Sequence, residues 1–167
     1  PMICPVCRSP LIWGDNRVTC SANHTFDIAR EGYVNLYRTS RRRPNQPGDT
    51  RDMLVARRAF LETGWYAMLS DRLIAYVQDF ARMHPAGGAP CQVADIGCGE
   101  GYYLGRLMAA LQVLSESDRY NGWGMDIARD GIRYAARRYP GIKWCVANVA
   151  QDILFADGSV DVVLSVF

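Results

Sequence analysis

Short apolar runs alternate with amphipathic segments between residues 91 and 167. Apolar runs bounded by glycine or polar residues are typical of buried strands, and segments with an apolar residue every three or four positions are typical of helices. We predict strands at residues 91–96, 120–125, 144–148 and 160–166, and helices at residues 102–114 and 129–138. This alternation predicts an α/β fold built on a parallel sheet.

A helical period covers residues 49–84. Asp49 or Thr50 can cap a first helix that ends at Gly64, and a second helix begins near Trp65 or Tyr66. The apolar positions of the first helix are Met53, Leu54, Phe60 and Leu61, and those of the second are Leu69, Leu73, Tyr76, Val77 and Phe80. Residues 84–90 contain two prolines and two glycines, so they end the second helix and mark a domain boundary.

The start of the chain carries a pattern of metal ligands. Two residues separate Cys4 from Cys7, and three separate Cys20 from His24. Zinc prefers four sulfur or nitrogen ligands in a tetrahedron, and two short knuckles with two ligands each supply that geometry. Apolar residues on both sides of residues 14–16 predict a hairpin between the knuckles. The spacing therefore predicts a small zinc ribbon with a structural metal; neighbouring buried cysteines without a metal are the alternative.

Residues 24–36 continue the ribbon in this interpretation. Five apolar side chains can cover the metal hairpin, and we expect a turn and a strand that pack on it: Phe26, Ile28, Tyr33, Val34 and Leu36. A segment this short buries little apolar surface. Metal binding, worth ~10 to 16 kcal/mol in small zinc modules, is therefore expected to supply most of its folding free energy.

Composition is that of a folded protein. The chain has 167 residues, of which 49% are hydrophobic and 22% charged. A chain of this size buries roughly 70% of its unfolded surface and needs no disulfides, which excludes a disordered or fibrous protein. No apolar run approaches the ~20 residues that cross a bilayer, and the first residues lack the basic and apolar regions of an export signal. We therefore expect a soluble, cytoplasmic protein with no membrane partner, whose clustered cysteines bind metal in a reducing compartment.

The net charge of +2 conceals an uneven distribution. Residues 1–60 carry 10 arginines against five acidic residues, whereas residues 61–167 carry nine basic and 12 acidic residues. Four of those arginines lie within residues 38–48, a run with two prolines and no apolar side chain. Guanidinium groups bind phosphates through two parallel hydrogen bonds. Beside a zinc ribbon, Arg41, Arg42 and Arg43 are therefore candidate RNA ligands, and a solvated linker is the alternative.

A glycine loop follows the strand at residues 91–96. Gly97, Gly99 and Gly101 occupy its first, third and fifth positions, whereas dinucleotide-binding loops have glycines at the first, third and sixth. Asp95 lies two residues before the loop, and Asp126 ends the next strand. This arrangement resembles the first motif of class I S-adenosylmethionine methyltransferases.

That resemblance implies a role for each residue of the pattern. The glycines let the backbone lie against the cofactor, and Asp95 helps to hold the methionine ammonium. Asp126 accepts hydrogen bonds from both ribose hydroxyls. Asn148 follows the third strand, where it can pair with the adenine edge because its amide both donates and accepts.

The chain as a whole resembles the zinc-containing 23S rRNA guanine-N(1) methyltransferases. The resemblance rests on the four metal ligands and on residues 26–27, 31–36, 47–49, 56–61 and 95–103. It implies S-adenosylmethionine-dependent methylation of a guanine in a hairpin of 23S rRNA, with the zinc ribbon recognising RNA. It also implies that Tyr66, Tyr103 and Leu104 contact the cofactor, and it leaves a homodimer open.

The predicted domains are a zinc ribbon at residues 1–37, a basic linker at 38–48, a helical bridge at 49–88 and a Rossmann-like S-adenosylmethionine-binding domain at 89–167. The family continues beyond the position of Phe167, so we expect a class I sheet truncated after about its fourth strand, and we identify no catalytic base. A small-molecule methyltransferase would bind cofactor without salt-dependent RNA affinity. A nonenzymatic RNA-binding fragment would bind RNA without cofactor.

Overall fold

The computed structural model describes residues 1–38, 48–84, 88–113 and 117–166. The strands are β1 (Leu11–Trp13), β2 (Arg17–Cys20), β3 (Thr25–Asp27), β4 (Tyr33–Asn35), β5 (Cys91–Ile96), β6 (Tyr120–Asp126), β7 (Lys143–Val146) and β8 (Val162–Leu164). The helices are α1 (Arg51–Glu62), α2 (Ala67–Met83), α3 (Tyr102–Val113) and α4 (Arg129–Arg138). The strands and helices predicted for the α/β part are confirmed, with small differences at their ends.

The main sheet has five parallel strands in the order β4-β7-β6-β5-β8. β5 and β6 pair along their length, from Cys91 opposite Tyr120 to Ile96 opposite Met125. Parallel strands end at the same edge of a sheet, so the segments that follow β5, β6 and β7 meet there. The glycine loop, Asp126 and Asn148 all lie at this carboxyl edge.

The two faces of the main sheet are covered by different layers. On one face, Val93 and Trp144 pack with Leu104 of α3 and Ile132 of α4 in a buried cluster. On the other face, Ala94, Met125 and Cys145 pack with Met2 and Val18 of the amino-terminal ribbon. Alternate residues of each strand therefore enter two cores, which explains why the strands are apolar on both faces. The zinc ribbon takes the place of a second helical layer over this part of the sheet.

Most of the segment at residues 24–36 packs on the metal hairpin as predicted. β3 does pair with β2, with Phe26 opposite Val18. β4 keeps an antiparallel bridge to the ribbon, between Val34 and Ile28, and it also pairs with β7, with Val34 opposite Cys145. Tyr33 and Val34 are both buried because successive residues face opposite sides of a sheet that is covered on both faces. The expectation is confirmed for Val34 and Leu36, which share a buried cluster with Val18 of the ribbon, and wrong for Tyr33, which packs in the core on the other face.

The first residues of the chain tie the ribbon to the main sheet a second time. The Ile3 amide donates to the Leu154 carbonyl at 3.0 Å, and the Ala156 amide donates to the Pro1 carbonyl at 2.8 Å. The ring of Trp123 from β6 lies 6.1 Å from that of Trp13 and 6.5 Å from that of Phe155, edge to face in both cases. The ribbon and the sheet therefore share one core.

The two helices of residues 49–84 begin and end at the predicted residues. Thr50 is the N-cap of α1, and its Oγ1 accepts a hydrogen bond from the Met53 amide at 3.4 Å. Gly64 follows α1 with φ +86°, a left-handed conformation that suits glycine. None of the helices in the described ranges combines the length and the apolar character needed to cross a bilayer.

Candidate functional site

The four predicted metal ligands come together at one point of the ribbon. Cys4, Cys7, Cys20 and His24 each offer a ligand atom, and these atoms all lie within 4.8 Å of one another. The Cys7 and Cys20 sulfurs are 3.6 Å apart, and His24 Nδ1 lies 3.4 Å from the Cys20 sulfur. A tetrahedral zinc ion with ordinary bond lengths separates its ligand atoms by ~3.5 to 3.8 Å, so the donor set fits this metal.

The backbone around the ligands is shaped by two tight turns. Arg8 and Asn23 both have φ +63°, the left-handed region, and each lies one residue beyond or before a ligand. The Arg8 amide donates to the Cys4 carbonyl at 2.9 Å, and the Asn23 amide donates to the Cys20 carbonyl at the same distance. Contact with Ser9 lowers the pKa of the Cys7 thiol to about 6, which favours the thiolate that a metal binds. Four ligands leave no open position, so the metal is structural.

The glycine loop presents an open backbone at the carboxyl edge of the sheet. Gly97 and Gly99 have positive φ, and a Cβ built on either residue would meet nothing within 4 Å. At Gly101 a Cβ would lie 2.6 Å from the Trp144 ring and 2.9 Å from the Ala135 Cβ. The first two glycines therefore leave room for a ligand against the backbone, whereas the third lets the loop pack on the sheet and on α4.

Asp95 is a buried carboxyl group behind the loop, with 2% of its surface exposed. Burial, together with the smaller effect of the Asp126 charge, raises the pKa of Asp95 to about 7, although a hydrogen bond from the Leu104 amide acts in the opposite direction. Burial disfavours the ionised form of a carboxyl group, and a neighbouring cation stabilises that form. The site is therefore electrostatically suited to an ammonium or sulfonium group.

Asp126 holds the loop from the end of β6. Its Oδ2 accepts a hydrogen bond from the Gly99 amide at 2.8 Å, and its Oδ1 accepts one from the Ala128 amide at 2.7 Å. Each carboxylate oxygen can accept a second hydrogen bond. Asp126 can thus fix the loop and still accept two hydroxyl groups of a ligand.

Asn148 lies at the same edge, after β7, beside a cavity of about 330 Å³ between the ribbon and the sheet. Its Oδ1 accepts a hydrogen bond from the Ala150 amide at 3.1 Å, so the turn orients the side chain. Tyr37, Arg38 and Gln151 line the same cavity. The loop that carries Asn148 is therefore in contact with the ribbon as well as with the sheet.

Tyr66 and Tyr103 belong to one aromatic cluster between the helical bridge and α3. Tyr66 packs edge to face on Phe60, with ring centroids 5.6 Å apart. Within the described residues, the buried Tyr103 hydroxyl has no hydrogen-bond partner, so it is a polar group that a ligand can satisfy. The Leu104 side chain is fully buried in the core, and its backbone amide donates a hydrogen bond to the Asp95 carboxylate.

Two observations about charged residues complete the site. Arg41, Arg42 and Arg43 lie outside the described residues.

Sequence reasoning missed an ion pair at the glycine loop, between Arg58 of α1 and Glu100, at 2.7 Å. No local signal connects these residues, because they are 42 positions apart and meet only when α1 packs on the loop.

Comparison with known proteins identifies both parts of the chain. Residues 2–43 match the zinc-ribbon family described as "RlmA, N-terminal", and residues 93–167 match a methyltransferase domain family. The chain thus combines a match to a zinc-ribbon family with a match to a methyltransferase domain family. Its fold is a zinc ribbon joined to a class I methyltransferase fold, whose cofactor is S-adenosylmethionine.

The chain is similar to two curated proteins over 98% of its length. It is 40% identical over 165 residues to the 23S rRNA (guanine(748)-N(1))-methyltransferase of Streptomyces fradiae. It is 34% identical over 176 residues to a Micromonospora griseorubida protein provisionally named a 23S rRNA (guanine-N(1)-)-methyltransferase. The chain spans about half the length of these curated relatives, 54% and 57% respectively.

Among solved structures, an S-adenosylmethionine-bound amino pentose methyltransferase from Micromonospora echinaspora superposes with a TM-score of 0.48 at 18% identity. The match covers 75% of this chain and 44% of that one.

Proposed function

We propose that this protein transfers a methyl group from S-adenosylmethionine to N(1) of a guanine in a 23S rRNA hairpin. The observation that carries the proposal is the buried Asp95 carboxyl behind a glycine loop whose first two glycines leave open space. It is supported by the names of the relatives, which are 23S rRNA guanine-N(1) methyltransferases. The reducing cytoplasm, where rRNA is present and thiolates bind metal, is the proposed location.

In this proposal, the residues of the carboxyl edge share the parts of the cofactor. Asp95 binds the methionine ammonium, and Asp126 accepts hydrogen bonds from the ribose hydroxyls. Asn148 pairs with the adenine edge, and Tyr66, Tyr103 and the Leu104 amide contact the remaining surface. Gly97, Gly99 and Gly101 let the backbone approach closely. Bound S-adenosylmethionine supplies a methyl group that its sulfonium already activates.

The protein's own contribution to the reaction is alignment. A guanine nitrogen that lies in line with the methyl group reacts without a further nucleophile on the protein, provided that its proton is removed. A base in an RNA hairpin must leave its stack to reach the site, and stacking on aromatic side chains offsets part of that cost. The ribbon and Arg41, Arg42 and Arg43 are proposed to bind RNA phosphates.

Two titrations separate this function from its alternatives. Zinc-loaded protein is titrated with S-adenosylhomocysteine by calorimetry and with a 23S rRNA hairpin fragment at several salt concentrations. The proposal expects binding in both titrations, with an RNA affinity that falls steeply as salt rises. Cofactor binding without salt-dependent RNA affinity would favour a small-molecule methyltransferase. RNA binding without cofactor affinity would favour a nonenzymatic RNA-binding protein.

The arginine assignment has its own control. Replacement of Arg41, Arg42 and Arg43 by Ala is expected to reduce RNA affinity and its salt slope by about one unit per lost phosphate contact. The same variant is expected to bind S-adenosylhomocysteine as the wild type does. An unchanged salt slope would contradict the assignment.

A further inference from the structure

Glu100 is a buried charged residue inside the glycine loop, between Gly99 and Gly101. Its residue is 3% exposed, although a carboxylate in this position would ordinarily face water. Arg58 Nε donates to Glu100 Oε2 at 2.8 Å, and Arg58 Nη2 lies 2.7 Å from the same oxygen. Burial raises the pKa of Glu100, and the Arg58 charge counters that effect. The loop thus carries a charge whose partner belongs to a different element.

Arg58 is itself held in place by α1 and α4. Its guanidinium lies over the Tyr134 ring, 5.6 Å from the centroid. Leu54 and Leu61, two turns apart on the same face of α1, are buried. At Gly131 of α4, a Cβ would lie 2.7 Å from the Gly99 carbonyl oxygen and 3.5 Å from Leu54. The helix, α4 and the loop are therefore closely packed around the ion pair.

The glycine loop is fixed at two points. From the strand side, Asp126 accepts the Gly99 hydrogen bond at 2.8 Å. From the helix side, the Arg58–Glu100 pair holds the next residue. Glycines on both sides of Glu100 allow many backbone conformations, so a loop of this sequence needs external contacts to keep one of them. The ion pair supplies such a contact, because it joins the buried Glu100 carboxylate to the half-buried Arg58 side chain of α1.

We propose that Arg58 and Glu100 are positioning residues for the methyl donor, and that their ion pair keeps the glycine loop in the conformation that receives the cofactor. This inference rests on the proposed function, because it concerns the same cofactor site. It adds a requirement that the glycine motif does not contain: the loop depends on a residue of the helical bridge.

The chain contains a matched control pair. Arg138 Nη1 of α4 lies 2.7 Å from Glu62 Oε1 of α1, so this second ion pair also joins α1 to the methyltransferase fold. Neither residue belongs to the glycine loop. If the ion pairs act only by attaching α1 to the methyltransferase fold, removal of either pair should change cofactor affinity by the same amount. If the loop needs to be positioned, only the Arg58–Glu100 pair affects cofactor affinity.

The experiment compares two double variants in zinc-loaded protein, Arg58→Met/Glu100→Met and Arg138→Met/Glu62→Met. Removing both charges of a buried pair avoids the unpaired charge that a single substitution leaves, so the first double variant is expected to fold. Thermal midpoints are recorded first, and the dissociation constant for S-adenosylhomocysteine is then measured by calorimetry well below the lower midpoint. Glu100→Gln and Arg58→Lys are measured alongside.

We expect the Arg58→Met/Glu100→Met variant to bind S-adenosylhomocysteine at least tenfold more weakly than the wild type. The Arg138→Met/Glu62→Met variant should stay within twofold. Glu100→Gln should also bind S-adenosylhomocysteine more weakly than the wild type. Arg58→Lys, which keeps the positive charge, should lose less affinity than the Arg58→Met/Glu100→Met variant. Equal affinity of the first double variant and the wild type would overturn the inference alone. Wild-type protein without affinity for S-adenosylhomocysteine would overturn the proposed function and this inference together.

Discussion

Asp95 and Asp126 lie on neighbouring parallel strands, and the charge of Asp126 adds to the effect of burial in raising the pKa of Asp95 to about 7. The sheet brings the two carboxyl groups close together, but their environments differ. Asp95 is buried, whereas both oxygens of Asp126 already accept backbone hydrogen bonds. A cationic ligand at Asp95 removes the cost of its ionisation.

Cofactor affinity is therefore expected to depend on pH. An ammonium group binds the ionised form of Asp95, which is a minor species below pH 7 in the free protein and the major one above it. The affinity for S-adenosylhomocysteine should rise about tenfold between pH 6 and pH 8, which calorimetry at several pH values measures. Asp95→Asn should bind weakly with no such rise. An affinity that is constant over this range in the wild type would contradict the role of Asp95.

The same pKa makes a prediction for stability. The pKa of Asp95 is about 7 in the folded protein, whereas that of an aspartate in an unfolded chain is about 4. The stability that protonated Asp95 contributes to the fold is complete below pH 4 and is lost as the pH rises through 7. Ionised Asp95 therefore destabilises the cofactor-free fold by on the order of 4 kcal/mol. Asp95→Asn should be more stable than the wild type at pH 8. The difference in unfolding free energy, from urea titrations of zinc-loaded protein, should shrink by roughly 1 kcal/mol at pH 6. If the stability advantage of Asp95→Asn over the wild type grew as the pH fell, the raised pKa of Asp95 would be refuted.

Metal removal should destabilise the whole protein. Met2 and Val18 of the ribbon share a core with Met125 and Cys145 of the sheet, so the ribbon cannot unfold without exposing that face. Cys4→Ala is expected to lower the thermal midpoint by about 10 °C or more in one transition monitored by circular dichroism. Cys91→Ala, which changes a cysteine outside the metal site, should retain zinc. Two separate transitions, with the later one at the wild-type midpoint, would show that the ribbon is independent.

Two glycines of the same loop should respond differently to alanine. Gly97 and Gly101 have nearly the same φ, +77° and +79°, so alanine strains the backbone alike, by about 1–2 kcal/mol. Only at Gly101 would the new methyl group collide with Trp144, which should cost about 1–3 kcal/mol more. Gly97→Ala should instead lose cofactor affinity, because its methyl group enters the open space in which the cofactor is proposed to bind. Urea denaturation and calorimetry on both variants measure this, and equal stability losses would contradict the close packing at Gly101.

The parts of the fold that the sequence predicted are those with local signals. The strand and helix bounds followed from periodicity and from Thr50 and Gly64, whose capping roles depend on near neighbours. The metal ligands followed from spacing, because a knuckle is a local turn. The order of Asp95, the glycines and Asp126 predicted their meeting at one edge, since parallel strands end together.

The parts that sequence reasoning missed depend on distant contacts. Tyr33 and Val34 have the apolar character expected of residues that cover the ribbon, and nothing near them in the sequence indicates that their strand also pairs with β7. Glu100 has the character of a solvated loop residue until α1 brings Arg58 to it. Pairing over such separations is determined by packing, which no local pattern contains.

The most direct test of the central claim is to map the methyl group. Zinc-loaded protein is incubated with unmethylated 23S rRNA and S-adenosylmethionine, and the product is examined by reverse transcription and by mass spectrometry of its fragments. The account predicts one methylated guanine in a hairpin, with a reverse-transcription stop that reports N(1) modification, and no product with Asp95→Asn. Cofactor binding without any methylated guanine in the RNA, or methylation at another atom, would contradict it.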